Sequence, residues 1–120
     1  MSDEEEQQQN VDPRAAALAG VPDCHVRQND LPDHLWDKVR IALKEALAAH
    51  KMEKDIARYI KTKIDEDPDF NELPGKGPWQ TIVGKSFAGA ITHEASHVCM
   101  FDVANSRETV LLWKSLSVQN

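Results

Sequence analysis

After Pro78 the chain carries four short apolar runs, residues 79–83, 87–92, 97–103 and 109–113, rich in β-branched and aromatic side chains. Only brief breaks separate them: Gly84-Lys85, Glu94-Ala95-Ser96 and Asn105-Ser106-Arg107. This spacing constrains the fold more than anything else in the sequence. Parallel neighbours need a crossover of about a dozen residues or more, so strands this close together pair antiparallel, as a meander. The run 87–92 holds no charge and no proline, which makes it an edge able to pair with another chain.

Upstream the apolar period lengthens. Leu35, Val39, Ala42, Leu43, Ala46 and Leu47 recur three and four apart and predict one helix of about four to five turns. Asn29-Asp30-Leu31 leads into it, with Pro32 at the first helical position, where no amide bond is lost. Trp36 falls beside the stripe, Lys38, Arg40, Lys44 and Glu45 face water, and Asp37 receives no role. His50-Lys51 breaks the pattern. A second helix follows from residue 53 to about residue 66, with Ile56, Ala57, Ile60 and Ile64 as its stripe. Glu53 and Asp55 suit its first turn, near the positive end of the helix dipole. Pro68 stops it, and residues 67–78, rich in proline and glycine, read as an exposed loop. His25-Val26-Arg27 is a possible short strand. Helices followed by strands predict an α+β domain, two helices packed on an antiparallel sheet of four to five strands.

The 120 residues are enough for one such domain, placed at residues 24–116, with a short C-terminal tail at 117–120. Residues 1–23 read as a disordered acidic tail, since Met1 to Asn10 is almost wholly charged or amide. Within it, Arg14-Ala15-Ala16-Ala17-Leu18-Ala19 has the makings of a helical turn ended by Gly20, and an added docking segment is the alternative. The net charge of −6 argues against nucleic-acid backbone as a partner, which requires a concentrated positive face. Cys24 and Cys99 read as reduced thiols in the cytosol rather than a bridge. No apolar run approaches the roughly 20 residues that span a bilayer, and the opening is the reverse of a signal peptide. An intracellular protein without membrane or nucleic-acid partners is the expectation.

His93-Glu94-Ala95-Ser96-His97 fits the zinc-protease pattern H-E-x-x-H. That chemistry needs helix: one turn separates the two histidine ligands, and the glutamate polarises the metal-bound water. Here Gly89 and Thr92 are poor helix residues, and after His97 there is no further histidine to supply a third ligand. A hairpin bend is therefore expected, with no catalytic residues, no metal and no cofactor. Gly75-Lys76-Gly77 opens no helix and makes no phosphate loop, and Cys99 reads as inert packing in an apolar strand.

The blocks Met52-Glu53-Lys54-Asp55-Ile56-Ala57, Trp79-Gln80-Thr81-Ile82-Val83-Gly84, Phe87, Thr92-His93-Glu94 and Leu111-Leu112-Trp113-Lys114-Ser115 closely resemble the small, hub-type dynein light chain family. The match runs from about Asp30 to Ser115, and the acidic extension looks most like a flagellar outer-arm version. The resemblance implies a strand-exchanged dimer, homomeric or with another light chain, of non-catalytic subunits in a cytoplasmic or axonemal motor complex. Extended segments of dynein intermediate chains would add to the exchanged strand by β-augmentation, two grooves holding two chains in parallel. It implies a groove formed by Glu53, Lys54, Phe87, Ala88, Gly89, Ala90, Ile91, Thr92, His93, Val98, Met100 and Asp102. It also implies a dimer contact at Gln80, Ser86 and Thr92. A general cytosolic dimerisation hub with no motor attachment is the alternative, and a zinc hydrolase through His93, Glu94 and His97 a more distant one.

The chain departs from that family where it matters for binding. Ala90, Met100 and Asp102 stand where the family commonly has tyrosine, and Val98 where it has phenylalanine. Less aromatic area and an added carboxylate change what a groove accepts, and Asp102 calls for a basic neighbour. Gln80 replaces a histidine that follows the tryptophan in the hub proteins, so a protonation switch is not expected here. The longer connection at residues 67–78 points to a dedicated partner.

Overall fold

The computed structural model describes residues 12–73, 78–85, 95–104 and 107–115. Its two long helices are the two that the apolar period predicts. Helix α2, Asp33–Ala49, buries Leu35, Val39, Ala42, Leu43 and Ala46 on one face. Pro32 caps it from an extended conformation rather than occupying its first turn, and Asn29 Oδ1 accepts the Leu31 amide at 2.9 Å to set the entry. His50 leaves in an extended conformation, donating its amide to Ala46 O. Helix α3, Glu53–Asp65, buries Ile56, Ile60 and Ile64, spaced four apart, and packs against α2.

Within the expected loop at 67–78, the described residues 67–73 depart from the exposed loop that their composition predicts. Pro68–Asn71 forms a helical turn, α4, whose N-cap Asp67 accepts the Asp69 amide at 2.9 Å. Phe70 on that turn is buried, edge-on to Trp79 with centroids 5.4 Å apart, and its carbonyl accepts Trp79 Nε1–H at 3.3 Å. Asp67-Pro68, read as a helix stop, is thus also a helix start. Lys38 of α2 reaches both Asp67 and Asp69 at 2.8 Å and ties α4 to the helix pair.

The first described residues are also built in. Pro13–Ala17 forms a short helix, α1, capped by Asp12, and Gly20 ends it with φ of +82°. Arg14 grips Asp37 of α2 with Nε and a terminal nitrogen, Asp37 also receives Arg40, and Lys44 donates to Ala19 O at 2.6 Å. From Asp12 onward the segment expected as tail therefore docks on α2, and Asp37, given no role from sequence, is its anchor.

Among the described residues four antiparallel strands make the sheet: β1, Cys24–Asn29; β2, Trp79–Lys85; β3, Ala95–Val103; β4, Glu108–Ser115. They lie in the order β1-β3-β4-β2. The expected strand at residues 87–92 lies outside the described residues. Strand β3 begins earlier than expected: Ala95 and Ser96 pair with Ser115 and Lys114, so neither belongs to a bend. An extra residue is absorbed between Ser96 and Cys99, where His97 takes φ of 55°, and another between Val26 and Gln28, where Arg27 is extra. Trp79, Cys99, Phe101, Val103, Val110 and Leu112 turn inward and close the core against α2, α3 and Phe70. Phe101 meets Trp36 edge-on at 5.0 Å.

Candidate functional site

The sequence-predicted site residues that are described fall on two parts of this frame: the β2 edge with the start of α3 beside it, and the sheet face turned away from the helices. Among the described residues β2 pairs with β4 alone, and its other side meets no described strand. Helix α3 lies against this strand. At its start Met52 is exposed, Lys54 is exposed, and Glu53 is half-buried with Oε2 lacking a hydrogen-bond partner. The first amides of any helix have no intrahelical acceptor, so those of Glu53 and Lys54 stand ready for a polar side chain. Thr81 Oγ1 of β2 is likewise buried without a partner. Two of the three described buried polar atoms without a partner thus belong to this helix start and this strand, the third being Arg40 Nε on α2. Gln80 is half-buried on β2, opposite Trp113.

The outer face follows from strand alternation. Since Cys99, Phe101 and Val103 point into the core, Val98, Met100 and Asp102 point away from it. Val98 is buried at 7% exposure, its amide held by Asp30 Oδ2 at 3.0 Å and its carbonyl by the Asp30 amide at 2.9 Å. Met100 is half-buried between Gln28 and Leu111. Asp102 has the basic neighbour its charge requires: Arg27 Nε donates to Oδ2 at 2.8 Å and Thr109 Oγ1 to Oδ1 at 2.7 Å. The Thr109 hydroxyl above all, then Arg27, hold the Asp102 carboxyl below its ordinary range. Glu53 and Lys54 sit on α3, while Met100 and Asp102 share the outer face. Phe87, Ala88, Gly89, Ala90, Ile91, Thr92, His93 and Ser86 lie outside the described residues.

Sequence reasoning missed Arg27, Asp30 and Thr109. Arg27 carried a signal: apart from it, no lysine or arginine lies between Arg14 and Lys38. Only the register of β1 on β3 brings it to Asp102.

The H-E-x-x-H motif meets a physical obstacle. From Ala95 onward the backbone is strand, and His97 sits at a bulge, so the helical pitch that would align it with His93 does not exist there. Among the described residues no three histidine, cysteine, aspartate or glutamate side chains are grouped to hold a metal. Cys99 is fully buried, and burial pushes its thiol up to about 12, which leaves it unreactive.

Comparison with known proteins bears on the same residues. Residues 23–115 match the family described as dynein light chain type 1. The cytoplasmic dynein light chain 1 of Debaryomyces hansenii is 36% identical over 76 residues, 63% of this chain and 76% of that protein. The flagellar outer-arm dynein 11 kDa light chain of Chlamydomonas reinhardtii is 39% identical over 79 residues, 66% of this chain and 63% of that one. Among solved structures, the dynein light chain-like domain of the Fasciola hepatica calcium-binding protein FhCaBP2 superposes with a TM-score of 0.61. It covers 78% of this chain and 92% of that domain at 21% identity, a likeness of fold.

Proposed function

Because the chain belongs to the dynein light chain family, we propose that it is a non-catalytic dynein subunit that grips extended segments of intermediate chains by β-augmentation. The observation that carries this reading is the open β2 edge with the unsatisfied start of α3 beside it. A strand from a second subunit, residues 86–92 of a like chain, pairs along β2. The segment of the intermediate chain then adds to the far side of that strand. Backbone hydrogen bonds supply general affinity there, and the α3 amides with Glu53 and Lys54 take a polar side chain. Ser86, Thr92 and Gln80 lie at the subunit contact, while the segment 87–93 lines the groove with Val98, Met100 and Asp102. Two grooves per dimer hold two chains side by side and raise the effective concentration of whatever those chains join.

The likeness to a flagellar outer-arm light chain supports a place in the outer arm of an axoneme, within the cytoskeleton. The likeness to cytoplasmic dynein light chains supports a cytosolic place for such a subunit, and the second reading is a cytosolic dimerisation module without a motor. Affinity capture from a flagellated cell separates the two. Recovery of intermediate and heavy chains with the tagged protein supports the motor reading, and a dimer captured without either contradicts it.

A further inference from the structure

Asp102 and Arg27 make an arrangement on the outer face that is more specific than an ion pair. Asp102 receives Thr109 on one oxygen and Arg27 Nε on the other. This contact takes one flank of the guanidinium and leaves its two terminal nitrogens, which meet no acceptor among the described residues. Arg27 is the extra residue of the β1 bulge, and its side chain is 49% exposed. His25 faces Asp102 directly in the register and is exposed. One row along, Gln28, Met100, Leu111 and Ile82 line up across all four strands, with Ile82 45% exposed. The face thus offers a guanidinium held beside a row that starts at the exposed Gln28 and continues through half-buried Met100 and buried Leu111 to the exposed Ile82.

We propose that the two terminal nitrogens of Arg27 form a carboxylate-reading site, occupied by an acidic residue of an extended partner segment with aliphatic neighbours. This rests on the peptide-binding reading above and deepens it by naming what the segment carries. The guanidinium fork matches a carboxylate with two parallel hydrogen bonds, which a lysine in its place would not reproduce. Asp102 is a positioning residue. It already accepts a hydrogen bond on each oxygen, and by holding Nε it turns the free edge of Arg27 outward, while His25 adds a donor on the same row. The net charge of −6 would by itself favour a basic partner. Arg27 is a local exception to that field, and contacts at hydrogen-bonding distance are screened less than the distant charges.

The test selects binders for the full chain from a random library of nine-residue peptides and measures their affinity. Wild type should enrich aspartate or glutamate at one position next to an aliphatic residue, and glutamate-to-glutamine there should weaken binding by about tenfold. Arg27→Gln should erase that preference while keeping the rest of the motif, and Arg27→Glu should replace it with lysine or arginine. Asp102→Asn should reduce the preference although Arg27 is still present, and Arg27→Lys should not restore it. Arg27 is half exposed, so circular dichroism of its variants should match wild type. Peptides that bind with no acidic preference, or with a basic one that Arg27→Gln leaves unchanged, would overturn this inference and leave peptide binding standing. If no peptide is selected at all, the peptide-binding reading falls and takes this one with it.

Discussion

Asp37 shows how far a single side chain reaches in this molecule. It was assigned nothing from sequence, because its partners are not its neighbours: Arg14 lies 23 positions away and arrives only when α1 docks. The Arg14 hydrogen bond foremost, with Arg40, lowers the Asp37 pKa. A carboxylate whose folded pKa is depressed contributes stability above its unfolded value, about 3.9, and loses it as pH falls through the folded value. Docking of α1 should therefore be complete at neutral pH and weaken in acid below about pH 4. Amide hydrogen exchange at residues 13–19, followed against pH, would show this. Asp37→Asn should bring fast exchange already at pH 7, and equal protection in both proteins would mean the pair does not hold the segment. Asp102 follows the same sign. Its need for a cation was legible in the sequence, but the identity of that cation depends on strand register, which no local pattern encodes.

At the scale of elements, the two long helices were legible because their apolar stripes run for several turns, and periodicity averages over single exceptions. The strands were legible as runs but not at their ends. Ala95 and Ser96 lack the β-branched and aromatic signal of the run that follows, and they pair with β4 beyond the register shift at His97. Helix α4 was hidden by its own capping residues, since proline and aspartate mark loop ends and helix starts alike. Its weight in the core can be measured. Phe70→Ala should destabilise the chain by about 3–5 kcal/mol in urea unfolding, the range for emptying a buried aromatic site. A residue in an exposed loop would cost within about 0.5 kcal/mol. Trp79→Phe keeps much of the ring packing and removes the bond to the Phe70 carbonyl, for a loss on the order of 0.5–1.5 kcal/mol.

At the scale of the whole molecule, fold and family were both legible, because the spaced blocks around Glu53, Trp79 and Leu111 specify them together. The strand proposed to cross between subunits, residues 86–92, lies outside the described residues, so its test is made in solution. Sedimentation at neutral pH should give a dimer. That dimer should persist in mild acid, because Gln80, placed on β2 opposite Trp113, has no proton to gain. Complete dissociation between neutral and mildly acidic pH would contradict that. Lys54→Ala and Phe87→Ala should each abolish capture of intermediate chains and leave the far-ultraviolet spectrum unchanged. Retained capture would place the groove elsewhere.

The bulge at Arg27 has a consequence for growth. A sheet with two straight open edges can add copies at both and lengthen without limit, as fibres do. Here the β1 edge is kinked by its extra residue and carries exposed His25 and Arg27, while the β2 edge has no such interruption in its register. A chain that recruits on one side only, with both copies using the same side, closes at two and stops. In the dimer proposed above, the irregular β1 strand leaves β2 as the side for recruitment, and assembly would stop at two.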